Sequence, residues 1–236
     1  MPRVFTAAER DALRDELLER ARADERIVAA AVTGSAAVGE ADEWSDIDLY
    51  FGVDEGVDRS AVVDDWTAFL DPVHHFDIAA PDRTYRVFLL PSGIEVDVGF
   101  TSESDFAASS SRFRLVFGEP TAEETQSEPD VRYELGLGWH HILHARACIG
   151  RGKRWQAIWL IEGIRDHTVT LACLRLGLNP WFSRSADELP LDLGETLVRS
   201  TDTDELERAL AAAREHYLEE VGKHDPSLAE RIRSAT

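Results

Sequence analysis

Cysteine is almost missing from this chain. Its two cysteines among 236 residues, Cys148 and Cys173, stand in apolar segments without CxxC spacing, so neither a zinc site nor a disulfide framework is expected. A reducing cytoplasm is the expected setting. Positive charge is scarce as well: 25 Lys and Arg against 45 Asp and Glu leave a formal net charge of −20. Wrapping a long nucleic-acid backbone depends on cations that neutralise phosphates, so extended nucleic-acid binding is not expected, whereas cationic partners suit such a surface. Long apolar runs are also absent. The opening "MPRVFTAAERDALRDELLERA" has no apolar core of a signal peptide, and no segment is apolar for long enough to span a bilayer, so no membrane association is expected. The sequence holds no GxxxxGK[ST], and Gly34 with Gly39 does not make GxGxxG, which excludes the P-loop and Rossmann fingerprints on spacing. "WHHILH" fails the HExxH pattern because His141 stands where Glu is needed. His140, His141 and His144 are therefore expected to be packed or cleft-lining. Trp139, Trp155, Trp159 and Trp181 are expected mainly in the core.

What is present organises itself into two halves. Thr6 followed by Glu9 makes a capping box, and Leu13, Leu17 and Ala21 recur behind it at helical spacing, which predicts a helix over 7–25. "RIVAAAVTG" reads as a buried strand ending at Gly34, and "DIDLYFGV" as a second, joined to the first by a turn and loop. A helix is expected at "SAVVDDWTAFL" and a strand at "VHHFDIA". Two alternating segments, "YRVFLLPSGIEVDVGF", flank a hairpin turn at Pro91, Ser92 and Gly93. The sum is a mixed sheet of about five strands with flanking helices. "FGEPTAEETQSEPD", 117–130, breaks every periodicity and marks a domain boundary. Beyond it helices are expected over 131–149, 153–176, 193–199, 203–221 and 226–234. The expected fold class is α+β: an N-terminal domain over 1–118, then an all-helical domain over 130–236.

Two aspartates, Asp46 and Asp48, interrupt the second strand. Side chains alternate along a strand, so both project to one face while Ile47, Leu49 and Phe51 take the other. Left alone they repel, and one takes up a proton. A hard divalent cation such as Mg2+ removes that cost, and two such ions ~4 Å apart clamp both ends of a phosphoryl displacement. The strand "GIEVDVGF" offers a third carboxylate. Glu95 and Asp97 share a face there, and Asp97, flanked by valines, is the better candidate. Upstream, "TGSAAVGE" places a Gly-Ser turn at the end of a strand, with backbone N–H groups and a hydroxyl that suit a triphosphate.

These pieces, Gly34, Ser35, Asp46, Ile47, Asp48 and Asp97, with "WSDIDLYF" at their centre, resemble the nucleotidyltransferase superfamily of the DNA polymerase beta type. Within it they are most similar to small-molecule adenylyltransferases acting on aminoglycosides and lincosamides. The resemblance covers about 27–100. It implies that Gly34, Ser35 and Ser45 bind the triphosphate, that Asp46 and Asp48 hold two Mg2+ ions, and that Asp97 holds the catalytic one. In some relatives the third carboxylate also helps deprotonate the acceptor. ATP or another NTP is the implied co-substrate and a small hydroxyl-bearing acceptor the implied partner. Relatives include homodimers with sites built from both chains. The same chemistry on tRNA or a partner protein, as in toxin–antitoxin systems, and a nucleotide-binding regulator without catalysis are the alternatives.

The helical half carries weaker signals. Glu162 and Asp166, four apart, share a helix face and are candidates for a general base or a cation anchor, against a plain Arg165–Glu162 ion pair. The resemblance favours Glu162. Lys153, beside Arg151 and Arg154, is the basic residue that the resemblance allows to reach the triphosphate and the departing pyrophosphate, against plain solvated charge in a turn. His74, His75 and Asp77 receive no role.

Overall fold

The computed structural model describes residues 5–79, 83–108, 110–121 and 128–236. The chain divides into two compact units, Met1–Gln126 and Ser127–Thr236.

The first unit opens with helix α1 (Ala7–Ala23), started by the expected capping box: Glu9 N–H donates to Thr6 Oγ1 and Thr6 N–H to Glu9 Oε2. Strand β1 (Ile27–Thr33) follows, then a single helical turn, α2 (Gly34–Ala37), where an irregular connection was expected. Strand β2 (Ile47–Val53), helix α3 (Arg59–Leu70) and strands β3 (His74–Ala79), β4 (Arg83–Leu89) and β5 (Glu95–Ser102) come next. The hairpin turn at Pro91 to Gly93 forms as expected, with Leu90 and Ile94 hydrogen-bonded across it.

The sheet has six strands in the order β3-β4-β5-β2-β1-β6. The sixth, β6 (Phe113–Phe117), pairs antiparallel with the far edge of β1. Its alternation is weak because Arg114 and Leu115 are both exposed, and this hides it in the sequence. The central β2–β5 pair is parallel and the other pairings are antiparallel. One face of the sheet, with Ile47, Leu49, Phe51, Val96, Val98 and Phe100, packs under Leu17 of α1 and Val62, Val63 and Trp66 of α3. The register then sends Asp48 and Asp97 to the opposite face.

The second unit is helical: α4 (Val131–Gly150), α5 (Arg154–Leu176), α6 (Thr203–His224) and α7 (Pro226–Ala235), around a core that includes Ile142, Ile161, Ile164, Leu206 and Tyr217. Gly177, in the left-handed region, ends α5 as expected. Two expectations need correction. The helix over 193–199 is one 3-10 turn, Gly194–Thr196, with Gly194 N–H donating to Asp192 Oδ1. Of the tryptophans expected in the core, Trp139 on α4 is 38% exposed, and Trp155 and Trp159 on α5 are 78% and 63% exposed, the latter two forming with Glu162 and Asp166 an exposed stripe at the i, i+4, i+7, i+11 spacing. Those two tryptophans are therefore surface residues. Among the described residues no helix is long and apolar enough to cross a membrane.

Candidate active site

Strands β2 and β5 are the two central strands of the sheet, and in their parallel register Asp48 stands directly opposite Asp97. Asp46 lies one residue before β2 begins. Each of these three side chains offers a carboxylate oxygen, and the three oxygens lie within 4.8 Å of one another, the one such cluster of metal-type ligands among the described residues. All three residues are partly buried.

Asp97 is held at an electrostatic cost. Burial, followed by the carboxylates of Glu95, Asp48 and Asp46, pushes its pKa up to about 7. Its Oδ1 is buried and makes no hydrogen bond. An orphaned carboxylate oxygen beside two further carboxylates is a donor set that fits a hard divalent cation.

The Gly-Ser turn closes on this cluster. Gly34 has φ +64°, and a Cβ added there would stand 2.0 Å from Asp48 Oδ2. Glycine is required on both counts, for the left-handed backbone and for the close approach. Ser35 Oγ donates to Ser45 Oγ at 3.2 Å, so the turn after β1 is tied to the residue preceding Asp46. Ser45 Oγ also accepts from Asp42 N–H and donates to Asp42 Oδ1. Gly34, Ser35, Ser45, Asp46, Asp48 and Asp97 are thus brought together in one region of the first unit.

Arg10 escapes the sequence reading altogether. It sits on α1, is 3% exposed, and reaches the loop before β2: Nη1 donates to the carbonyl oxygens of Asp42 and Ser45. An arginine on a helix otherwise reads as solvated charge. Its only sequence signal is its place on the face that also carries Leu13 and Leu17.

Glu162 and Lys153 belong to the second unit. Both are exposed, Lys153 at the N-terminal boundary of α5. Among the described residues Arg165 makes no ion pair with Glu162, so the plain local pairing does not form. His141 is buried against Trp159 and His167, and burial, then His167 and its neighbouring histidines, lowers its pKa to about 4. It is a packed, neutral ring, as expected. His167 Nδ1 lies 2.6 Å from Glu134 Oε2, a pairing with no signature in sequence because 33 residues separate the two. Asp77 binds Arg86 through both of its oxygens, which gives it a structural part on the edge of the sheet.

With this geometry in place, comparison with known proteins gives the class. Residues 11–142 match the nucleotidyltransferase domain family. That is more than half of the chain, and the chain belongs to this family. Its reaction is nucleotidyl transfer. Among solved structures the chain is similar to an aminoglycoside 6-adenyltransferase from Bacillus subtilis, at 13% identity over 94% of both chains with a TM-score of 0.35. It is also similar to a nucleotidyltransferase-like protein from Exiguobacterium sibiricum, at 14% identity over 91% of this chain and 77% of that one, with a TM-score of 0.38. No curated protein matches the sequence.

Proposed function

We propose that this enzyme transfers a nucleoside monophosphate, AMP from ATP, to a hydroxyl of a small cationic acceptor such as an aminoglycoside, with Mg2+ and release of pyrophosphate. The observation that carries the reading is the Asp46, Asp48 and Asp97 cluster, with an orphaned Asp97 oxygen and Gly34 pressed against Asp48. Bound there, divalent metal would neutralise charge on the triphosphate and on the attacking oxygen. Asp46 and Asp48 would hold both ions and Asp97 the catalytic one. Gly34, Ser35 and Ser45 would position the triphosphate. The acceptor oxygen attacks the α-phosphorus, the bond to the β-phosphate oxygen breaks, and the acceptor proton passes to a carboxylate. Asp97 is the proposed recipient, and Glu162 is the second candidate. Lys153 is proposed as the cation for the departing pyrophosphate.

The acceptor class rests on the formal charge of −20 and on the family resemblance of the motif. In this reading 1–118 is the catalytic domain, 130–236 binds the acceptor, and the enzyme is cytoplasmic and contributes to antibiotic resistance.

The test is pyrophosphate release with ATP and Mg2+ across aminoglycosides, lincosamides and bulk tRNA, for wild type and Asp48→Ala. Release that needs one small acceptor and falls at least ~10³-fold in the variant is expected. Release only with tRNA would replace the small acceptor by a macromolecule. No release with any acceptor, alongside Mg2+-dependent ATP binding, would make the protein a nucleotide-binding regulator.

A further inference from the structure

The three carboxylates are not fixed by the same means. Asp48 and Asp97 sit within β2 and β5 and are held by ladder register. Asp46 stands outside the ladder, at the end of an irregular loop that runs from Val38 to the start of β2. Something other than the sheet must place it, and we infer that Arg10 is the positioning residue that does so.

Its guanidinium donates to the carbonyl oxygens of Asp42 and Ser45, the latter at 3.2 Å. These are the two ends of a tight turn closed by Ser45 N–H on the Asp42 carbonyl at 3.4 Å. Asp46 follows Ser45 directly, so its Cα is one peptide away from a pinned carbonyl. Through Ser45 Oγ the same turn holds Ser35. One side chain therefore sets both the lead-in to Asp46 and the Gly-Ser turn.

The chemistry requires arginine. A planar fork with several N–H donors can serve two carbonyls and a carboxylate together, which a lysine ammonium does with far less geometric control. Asp11, 2.9 Å from Nη2, supplies the counter-charge that an arginine only 3% exposed needs. A position that served packing alone would carry an apolar residue, as Leu17 does one face-repeat along α1.

The inference rests on the metal reading above, and the experiment separates the two. Mn2+ is the probe, and its binding to the full chain is followed by electron paramagnetic resonance with a non-hydrolysable ATP analogue present. Arg10→Ala is expected to weaken Mn2+ about tenfold, the scale of a lost support behind a metal ligand, and millimolar guanidinium is expected to restore much of the affinity. Leu17→Ala, a core truncation in the same helix, is expected to lower Tm at least as far while leaving Mn2+ affinity unchanged. Wild-type affinity in Arg10→Ala would overturn the inference, as would an equal loss in Leu17→Ala. Should Arg10→Ala not fold, Arg10→Lys decides, since unaltered Mn2+ affinity there removes the requirement for the fork. A wild type that binds no Mn2+ removes the metal reading itself, and the role of Arg10 with it.

Discussion

Asp97 stands between Val96 and Val98 in the middle of the sheet, so folding carries its carboxyl into surroundings that favour the protonated form. The ordinary value is 3.8 and the folded value about 7. Between those limits the folded chain binds the proton more tightly than the unfolded chain, so the stability of the metal-free protein falls as pH rises from about 4 to 7. Asp97→Asn removes the burden. Its metal-free Tm should exceed that of wild type at pH 8 and match it at pH 4, while Mg2+ should raise Tm only in the wild type. Thermal scans at the two pH values check this, and an Asn variant no more stable at pH 8 would show that the carboxyl is not strained. Gly34 gives the complementary case. Gly34→Ala puts a Cβ 2.0 Å from Asp48 Oδ2 on a left-handed backbone, which costs ~1–2 kcal/mol from the backbone alone. Nucleotide-dependent pyrophosphate release should fall by at least ~10²-fold, since a misplaced ligand of about 1 Å suffices for that. Release at wild-type rate would mean that the turn does not touch the reacting groups.

Among the elements, the helical unit contains a close crossing of α4 and α6. Gly138 of α4 faces Tyr217 of α6, and a Cβ at Gly138 would stand 2.0 Å from the tyrosine ring, whose hydroxyl donates to the Leu135 carbonyl. Gly138→Ala is expected to destabilise the second unit by ~1–3 kcal/mol through overpacking, a shift that urea unfolding followed by tryptophan fluorescence would register. An unchanged midpoint would mean that the two helices separate at little cost. Nothing in "LGLGWHH" marks this glycine, because its partner lies 79 residues away. The same distinction separates what the sequence discloses from what it conceals. The capping box of Thr6 and Glu9, the alternation of "DIDLYF" and "IEVDVGF", and the Gly177 stop are local patterns, and each forms where expected. Strand β6 lacked alternation, the 193–199 segment gives its Glu195 and Leu197 carbonyls to the Arg208 guanidinium rather than to a further helical turn, and Trp155 and Trp159 look like core until the face they occupy is known. In the candidate site, the clustering of the three aspartates beside Gly34 was legible because it follows from strand alternation and spacing. Arg10 was not, because its meaning lies in carbonyls more than 30 residues away.

Over the whole molecule the charge is unevenly shared. Residues 1–126 carry 27 acidic and 11 basic side chains, 127–236 carry 18 and 14, so the first unit holds −16 of the −20. Like charges crowded on one compact unit repel one another and oppose folding, and salt weakens both that repulsion and any attraction to a cationic ligand, over a screening length of ~10 Å at 0.1 M. One titration should therefore move two quantities in opposite senses. Raising NaCl from 0.05 to 0.3 M should increase the metal-free Tm by a few degrees, about what relief of ~1 kcal/mol yields in a chain of this size. Over the same range KM for a polycationic acceptor should rise several-fold while kcat stays nearly constant, because charge that attracts the acceptor equally before and in the transition state affects binding alone. A salt-independent KM, with Tm rising as expected, would show that the acidic surface does not hold the acceptor, and would turn the search toward neutral hydroxyl compounds.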